Sequence, residues 1–375
     1  MADLPVGQAG RAPKKAGASW LTRLAMSPAF HKIIEHIPGL RSHARAEGRA
    51  LFDVVSGFVQ SQALFALVEL RLLHRLAEGP ASAASLAHIA GVPEARMGIL
   101  LQAGAALRLL RQHGGLWHLT PRGGAFLTVP GLEAMVRHHD VLYRDLSDPV
   151  AFFRGDTQPE LAGFWPYVFG AGAAADPALA QRYSDLMADS QGLVAADTLR
   201  LVNFRGITHL MDVGGGTGAF LAAVGQVHQR LRMTLFDLPA VVPGARARLS
   251  GFGDRVTITP GSFRDDPLPR GADAISLIRV LYDHSDSTVL SLLRAVHAAL
   301  PHGGRLIVSE PMSGGVRPDP ATDVYFAVYT LAMQTGRTRS TDEIAAMMQA
   351  AGFASVSPAW GMRPFVTSAV TARRN

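Results

Sequence analysis

The stretch Thr208-His-Leu-Met-Asp-Val-Gly-Gly-Gly-Thr-Gly-Ala-Phe-Leu221 joins an apolar run to a glycine turn. The run ends at Asp212, and glycines follow at alternate positions: Gly214, Gly216 and Gly218. This pattern predicts a buried strand, a tight turn and then a helix. In α/β sheets that succession forms a nucleotide pocket, because a ligand can lie against backbone without Cβ atoms and near the helix amides.

An acidic residue follows the next predicted strand. Residues 231–236 predict a second buried strand, and Asp237 comes directly after it. A carboxylate at this place, about 20 residues after the glycine turn, accepts hydrogen bonds from ribose hydroxyls. We therefore expect Asp237 to contact a nucleoside.

Two cofactor classes satisfy the glycine spacing. Gly214-x-Gly216-x-x-Ala219 matches the dinucleotide pattern and would permit NAD. Asp212, two residues before the first glycine, would face a cationic ligand group better than a pyrophosphate. S-adenosylmethionine (SAM) carries an ammonium group and a sulfonium, so we favour SAM.

Composition limits the class of protein. The chain has 375 residues, of which 48% are hydrophobic, enough for two domains and a large core. It has no cysteine, which excludes disulfides, thiolate metal sites and a cysteine nucleophile. Without a long uninterrupted apolar run or a signal-peptide core, we expect no membrane-spanning helix and a cytoplasmic location.

Positive charge is concentrated at the N-terminus. The net charge is +6, and the first 49 residues hold eight Lys or Arg against three Asp or Glu, which accounts for +5. A nucleic-acid-binding protein would spread basic charge over its folded domain, so we expect no nucleic-acid partner. Trp20, Phe30 and several isoleucines lie among the bases, and such an arm suits either anionic lipid or a partner subunit. The sequence leaves both open, including a peripheral position on the inner or intracytoplasmic membrane.

Residues 49–130 predict a winged-helix domain. A helix over 49–75, short helices over 85–90 and 94–110, and a strand over 116–120 follow one another. Winged helices often bind DNA, but the helix over 94–110 has only Arg96 and Arg108 as cations. Because that helix is otherwise apolar, we interpret it as buried against protein in a dimerisation domain.

Residues 131–203 are interpreted as a helical linker and substrate-pocket region. Aromatic residues are dense over 151–170, which indicates either the wall of an apolar pocket or a small separate core. A long helix is predicted over 176–202. The candidate substrate-binding residues are His138, His139, Trp165, Met187 and Tyr325.

Residues 204–375 predict a doubly wound, mostly parallel α/β sheet of Rossmann-like type. The predicted strands span 208–213, 231–236, 255–259, 273–278 and 304–309, and a helix spans 341–351. Two late strands, 353–358 and 365–371, have no helix between them and predict an antiparallel pair. This is the layout of class I SAM methyltransferases, here preceded by an all-helical winged-helix dimerisation domain.

The chain resembles small-molecule O-methyltransferases of the plant caffeate and acetylserotonin types over roughly residues 50–375. The motifs that carry the resemblance are Asp212-Val-Gly-Gly-Gly-Thr-Gly218, Phe236-Asp-Leu-Pro239, Gly261-Ser-Phe263, Arg279-Val-Leu-Tyr-Asp-His-Ser-Asp286 and Glu310-Pro311. The resemblance implies a SAM-dependent O-methyltransferase that forms a homodimer. It also implies that SAM is bound by Asp212, Gly214, Gly216, Asp237, Leu238, Ser262, Phe263 and Arg279.

More narrowly, the chain resembles the carotenoid 1-hydroxy O-methyltransferases of phototrophic bacteria. The segments that carry this are Trp20-Leu-Thr-Arg-Leu24, Ser27-Pro-Ala-Phe30, Arg49-Ala-Leu-Phe-Asp53, Gly261-Ser-Phe-Arg-Asp-Asp-Pro-Leu268 and Arg279-Val-Leu-Tyr-Asp-His284. The implied product is a tertiary methyl ether in spheroidene- or spirilloxanthin-type biosynthesis. The alternatives are another apolar substrate, such as a bacteriochlorophyll precursor or polyketide phenol, and a winged-helix regulator that senses SAM.

The expected catalytic residues depart from the plant-type pattern. Tyr282-Asp283-His284 stands where plant-type members carry His-Asp-Trp, and Thr338 stands where they carry a glutamate, while Glu310 matches. We expect Tyr282 to orient the substrate hydroxyl or to relay its proton to Asp283 or His284, with Glu310 as a support. A Tyr282 that only lines the pocket is the alternative. We expect no metal, because neither His138-His139 nor Asp265-Asp266, interpreted as a solvated loop, has ligand spacing.

Overall fold

The computed structural model describes residues 19–34, 36–164, 190–316, 318–361 and 363–375. The chain divides into two compact units, Met1–Leu64 and Phe65–Asn375. The candidate residues Trp165 and Met187 lie outside the described residues.

The first unit is helical where it is described. Its helices are α1 (Trp20–Ala25), α2 (Pro28–Ile34) and α3 (Pro38–Glu69), the last of which continues into the second unit. Ser27 Oγ accepts from the amide of Phe30 at 3.4 Å and caps α2, in which Pro28 is the first helical residue. The prediction of one helix over 49–75 was wrong at both ends, because α3 begins at Pro38 and the chain turns at Arg71, where φ is +54°.

The middle of α3 carries large apolar side chains that are mostly exposed within this single chain: Leu51, Phe52, Val54, Val55, Phe58 and Val59. By length and average composition, Gly39–Glu69 is also apolar enough to cross a membrane, with mean hydropathy 1.5 and 11% of the window buried. We expected no membrane-spanning helix because the sequence has no long uninterrupted apolar run. That criterion was too strict, since this helix reaches the required length and average hydropathy with polar residues in it. An apolar face that another protein chain covers produces the same composition.

The second unit begins with helices and a small wing. They are α4 (Leu72–Glu78), α5 (Ala83–Ala90), α6 (Glu94–Ala106), the antiparallel strands β1 (Leu110–His113) and β2 (Leu116–Leu119), and α7 (Pro121–Thr128). Helix α6 stops at Ala106, earlier than predicted, because the backbone reverses at Arg108, where φ is +62°. Met97 and Leu101 of α6 are fully buried, so this helix packs inside the protein as expected.

Helices of the predicted linker region follow. They are α8 (Leu132–Asp145), α9 (Pro149–Arg154) and the helical residues 190–201, named α10, with a 3-10 turn over Glu160–Phe164. Phe152 of α9 and Leu161 join a small apolar cluster with Tyr329 and Met333. Phe152 and Leu161 belong to the segment 151–170, and for these two residues the structure supports a small separate core rather than a pocket wall.

A seven-stranded sheet forms the centre of the second unit. Its strands are β3 (His209–Val213), β4 (Arg232–Asp237), β5 (Val256–Pro260), β6 (Ala274–Ile278), β7 (Arg305–Glu310), β8 (Phe353–Ala359) and β9 (Ser368–Arg374), in the order β5-β4-β3-β6-β7-β9-β8. The first five are parallel and β9 runs antiparallel to both neighbours. The predicted doubly wound, mostly parallel sheet is confirmed, and its parallel strands lie within one residue of the predicted bounds.

Helices cover both faces of this sheet. They are α11 (Ala219–Val227), α12 (Val242–Leu249), α13 (Asp286–Ala299), α14 (Ala327–Met333) and α15 (Thr341–Ala350), with short 3-10 turns over Ser250–Arg255 and Leu281–Asp283 and a π-helix over Pro320–Phe326. Strand order reverses between β3 and β6, since β4 and β5 extend to one side and β7 to the other. Ligands of open α/β sheets bind at such a reversal, beyond the carboxyl ends of the strands.

Candidate active site

The glycine turn lies at the carboxyl end of β3, beside the strand-order reversal. Gly214, Gly216 and Gly218 all have positive φ, of 70°, 59° and 77°. A Cβ on Gly218 would lie 2.6 Å from Leu249, so this glycine is needed for packing. A Cβ on Gly216 would meet nothing within 4 Å. The turn is therefore open to a ligand at Gly216 and closely packed on its other side.

Asp237, at the end of β4, holds this turn in place. One carboxylate oxygen accepts from the amide of Gly216 at 2.6 Å, and the other accepts from the amide of Leu238 at 2.6 Å. Burial raises the pKa of Asp237, and the two amides oppose that rise. Because a carboxylate oxygen accepts more than one hydrogen bond, Asp237 retains acceptor capacity for ribose hydroxyls.

Asp212 lies beneath the turn and has no exposed surface. Its Oδ1 accepts from Ser276 Oγ at 2.6 Å, and its Oδ2 is buried with no hydrogen-bond partner among the described residues. Burial raises the pKa of Asp212 to about 7. The expectation that Asp212 directly faces a cationic cofactor group was wrong for this structure, because Gly215 covers the carboxyl group.

The other predicted cofactor residues follow β5 and β6. The amide of Gly261 donates to the carbonyl of Asp237 at 2.9 Å, which places Ser262 and Phe263 beside that carboxylate. The structure thus brings Gly214, Gly216, Asp237, Leu238, Ser262, Phe263 and Arg279 to one edge of the sheet. An open glycine turn beside a carboxylate with spare acceptor capacity fits the adenosine part of SAM.

Asp265 and Asp266 have a role that the sequence reasoning missed. Asp266 Oδ2 accepts from the amide of Ser262 at 2.8 Å, and Asp265 Oδ2 accepts from Ser262 Oγ at 2.9 Å. The two carboxylates therefore shape the loop after β5. Both side chains are exposed, so the interpretation as a solvated loop is confirmed and these contacts add to it.

Tyr282 lies in the 3-10 turn that follows β6. Its hydroxyl accepts a hydrogen bond from Arg279 Nε at 3.2 Å, and the side chain is almost fully buried. Glu310, at the end of β7, accepts through Oε2 from the amides of Leu281 and Tyr282, at 2.9 and 3.3 Å. Its Oε1 is buried and has no hydrogen-bond partner in the part of the chain that the structure describes. The predicted catalytic residues Tyr282, Asp283 and Glu310 are thus adjacent.

The protonation states of this group are set by burial. Burial raises the pKa of Tyr282 and raises the pKa of Glu310 to about 7. It also raises the pKa of Asp283 well above its ordinary range. Tyr282 is therefore a neutral phenol at physiological pH, and its hydroxyl can donate a hydrogen bond. Burial therefore favours the neutral acid form of Asp283.

His284 does not have the chemistry of a general base here. Its Nδ1 lies 3.0 Å from Arg264 Nη2, and a guanidinium has only donors, so the Nδ1 lone pair is occupied and Nε2 carries the proton. Burial, Arg264 and Arg339 lower the pKa of His284 to about 4. Phe263 packs edge-on against the imidazole ring. The geometry thus corrects the expectation that His284 accepts the substrate proton.

Comparison with protein families decides the class. A family model described as an O-methyltransferase domain matches residues 143–354, more than half of the chain. A second, described as an O-methyltransferase dimerisation domain, matches residues 52–129. The chain belongs to the O-methyltransferase family.

Two curated relatives match this O-methyltransferase over nearly its whole length. It is 58% identical to demethylspheroidene O-methyltransferase of Rhodobacter capsulatus over 98% of this chain and 93% of that protein. It is 59% identical to demethylspheroidene O-methyltransferase of Cereibacter sphaeroides over 94% of each. The chain is a SAM-dependent enzyme, and SAM rather than NAD is its cofactor.

A solved structure has the same fold. The crystal structure of human N-acetylserotonin methyltransferase in complex with SAM superposes with a TM-score of 0.74, at 24% identity, covering 88% of this chain and 98% of that one. The predicted class I SAM methyltransferase fold with a helical dimerisation domain is confirmed.

Two histidine–tyrosine pairs of this O-methyltransferase lie between α8 and the segment of Pro320–Met333. His138 Nε2 lies 2.9 Å from the Tyr329 hydroxyl, and His139 Nε2 lies 2.8 Å from the Tyr325 hydroxyl. Burial, followed by His139, lowers the pKa of His138 to about 4, and burial also lowers the pKa of His139. The structure therefore brings together three predicted substrate-binding residues, His138, His139 and Tyr325, as neutral, hydrogen-bonded groups.

Two cavities lie near these elements. One has a volume of about 350 Å³ and is lined by residues that include Ser313, Thr330 and Glu343. The other, of about 270 Å³, is lined by residues that include Phe152 and Leu331. In the part of the chain that the structure describes, no group of three His, Asp or Glu side chains is arranged to hold a metal ion.

Proposed function

We propose that the enzyme methylates the tertiary 1-hydroxy group of an acyclic carotenoid. The observation that carries this proposal is the 58–59% identity, over at least 93% of their length, to two demethylspheroidene O-methyltransferases. When bound, SAM supplies an activated methyl group for in-line transfer to the substrate oxygen. The chain's own residues then align that oxygen and govern its proton.

The residues at Tyr282 suit an alcohol that is not deprotonated in advance. A tertiary alcohol is far less acidic than a phenol, so its proton leaves late, passing to water while the new C–O bond forms. Tyr282 is neutral and accepts from Arg279, which leaves its own proton free to bond the substrate oxygen. Alignment of this kind is worth roughly 7–11 kcal/mol in favourable cases. Tyr282 therefore serves as an orienting donor.

The test is a comparison of substrates with one enzyme preparation. The full chain is incubated with radiolabelled SAM and detergent-solubilised 1-hydroxycarotenoids, a phenolic polyketide and a bacteriochlorophyll precursor. We expect labelled methyl ether from the 1-hydroxycarotenoids, and none from a carotenoid without the hydroxyl group. Faster labelling of the phenol or of the bacteriochlorophyll precursor would overturn the substrate assignment.

We propose further that a second copy of the chain covers the exposed apolar middle of α3, and that the preceding arm lies on the membrane. The matched dimerisation domain begins at residue 52, whereas the exposed apolar residues of the arm precede it: Trp20, Met26, Ile33, Ile37 and Leu40. They stand among the basic residues of the N-terminus. Apolar burial combined with attraction to anionic lipid gives reversible binding at the membrane surface, where a carotenoid resides.

Deletion of residues 1–37 tests the membrane proposal, because it leaves α3 intact from Pro38. We expect less binding to phosphatidylglycerol vesicles, unchanged SAM affinity and a truncated chain that is still a dimer. Vesicles of pure phosphatidylcholine serve as the control, and the full chain should bind them weakly. Equal sedimentation of the truncated and full chains with anionic vesicles would refute the role of the arm.

A further inference from the structure

Arg339 is a fully buried cation beside the Tyr282 turn. It precedes α15 and has no exposed surface. Its Nη1 donates to the carbonyl of Leu281 at 2.8 Å, and its Nη2 donates to the carbonyl of His284 at 2.8 Å. Nε and Nη2 also donate to Asp286 Oδ1, at 2.9 and 2.6 Å. A buried guanidinium is costly unless it is paired and hydrogen-bonded, and here its partners lie on and just after the turn.

The same turn is held from its other side. Glu310 accepts from the amides of Leu281 and Tyr282, while Arg339 donates to the carbonyls at the two ends of the turn. A Cβ on Gly336 would overlap the backbone of Tyr282 and His284, so the chain before Arg339 also lies directly against the turn. The donors and acceptors of this short segment are thus fixed by the carboxyl group of Glu310 and the guanidinium group of Arg339.

We propose that Arg339 is a positioning residue of methyl transfer, which together with Glu310 fixes where Tyr282 meets the substrate oxygen. This inference rests on the proposed function, in which Tyr282 bonds that oxygen. Arg339 itself acts through the backbone. A displacement of the reacting groups by about 1 Å can cost about 10²-fold in rate, so a residue that sets the position of Tyr282 has a large effect on turnover.

Arg337 provides a matched control. It donates to the same aspartate, Asp286, at 3.1 and 3.2 Å, and to Glu343 at 2.9 Å. Its side chain is about half exposed, and its hydrogen bonds do not include the turn 281–284. Replacing Arg337 therefore removes a guanidinium from the same charge network without removing a contact to the turn.

The experiment compares Arg339→Met, Arg339→Lys and Arg337→Met in the full chain, measuring kcat, KM, SAM affinity by calorimetry and the thermal unfolding midpoint. For Arg339→Met we expect kcat to fall about 10²-fold with SAM affinity changed less than about threefold, since the cofactor residues keep their contacts. The fall in kcat should be smaller for Arg339→Lys than for Arg339→Met, because an ammonium group still reaches some of the acceptors that the guanidinium group binds. Arg337→Met should retain wild-type kcat.

Millimolar guanidinium chloride, well below denaturing concentrations, should restore part of the turnover of Arg339→Met and none of that of Tyr282→Phe. Wild-type kcat in a folded Arg339→Met variant would overturn the inference. If Arg339→Met does not fold, Arg339→Lys decides: wild-type kcat with a lowered unfolding midpoint would show a role in stability alone. A wild-type enzyme that does not turn over the hydroxycarotenoid would instead refute the proposed substrate, and the same comparison is then made with the substrate that it does methylate.

Discussion

Replacing Tyr282 by Phe removes one hydroxyl group and preserves the ring that packs in the turn. In the structure this hydroxyl accepts from Arg279 Nε at 3.2 Å, and its side chain is 4% exposed. Because the proton leaves late, the bond from Tyr282 serves to hold the substrate oxygen in line with the methyl group, and its loss misaligns the reacting atoms. Arg279 retains its hydrogen bond to Ser190 at 2.8 Å, so the variant should fold and bind SAM.

The expected magnitude follows from the loss of alignment. A displacement of the reacting atoms by about 1 Å can cost about 10²-fold in rate. At 1.36 kcal/mol for each tenfold change, a loss of about 2.7 kcal/mol lowers kcat about 10²-fold. Because burial raises the pKa of Tyr282, the phenol stays neutral and the loss should be the same from pH 6 to pH 9.

The assay is methyl transfer from labelled SAM to a detergent-solubilised hydroxycarotenoid, at saturating SAM. Tyr329→Phe is the comparison variant, since it removes a buried hydroxyl that lies 2.9 Å from His138, and it should change KM more than kcat. Wild-type kcat for Tyr282→Phe would show that Tyr282 only lines the pocket. If the kcat of the wild-type enzyme increased with pH and the kcat of Tyr282→Phe did not, Tyr282 would be a base and the orienting role would be refuted.

Three other substitutions probe the cofactor edge and the turn. Asp237→Asn should weaken SAM binding by about 10- to 10²-fold, because hydrogen bonds to a charged group are lost; unchanged calorimetric affinity in the folded variant would exclude the ribose contact. The pKa of Asp212 is raised from 3.8 to about 7 in the folded chain, so its contribution to stability is complete below pH 3.8 and is lost as pH rises through 7. Between pH 3.8 and about 7, Asp212 should make the unfolding free energy of the wild-type chain fall by up to about 1.4 kcal/mol per pH unit, measured by urea unfolding without SAM. Asp212→Asn should lack this fall, and an equally steep fall in the variant would contradict the assignment. Gly336→Ala should lower the unfolding free energy by about 1–3 kcal/mol through overlap with the turn, whereas Gly163→Ala, with open space at its Cβ, should not; similar unfolding midpoints for both would argue against a tight contact.

Local patterns in the sequence determined much of the fold. The parallel strands were located within one residue, because buried strands are continuous apolar runs bounded by glycine and acidic residues. The three glycines of the nucleotide turn were recognisable, because positive φ favours glycine at each position. Asp237 was identified from its distance to that turn. The family was recognisable for the same reason, since its motifs are short and follow one another along the chain.

Tertiary structure alone decided what the side chains around Tyr282 contact. Arg339 and Leu281 are 58 residues apart, Arg264 and His284 are 20 apart, and no local pattern indicates that a given arginine will be buried. The sequence placed Asp212 at the right end of its strand, but its enclosure depends on Ser276 of the neighbouring strand. Protonation states follow from burial, and burial follows from how the helices and strands pack. The order of residues therefore determines which groups reach the carboxyl edge of the sheet, and packing determines which of them hold a proton and which hold a neighbouring residue in position.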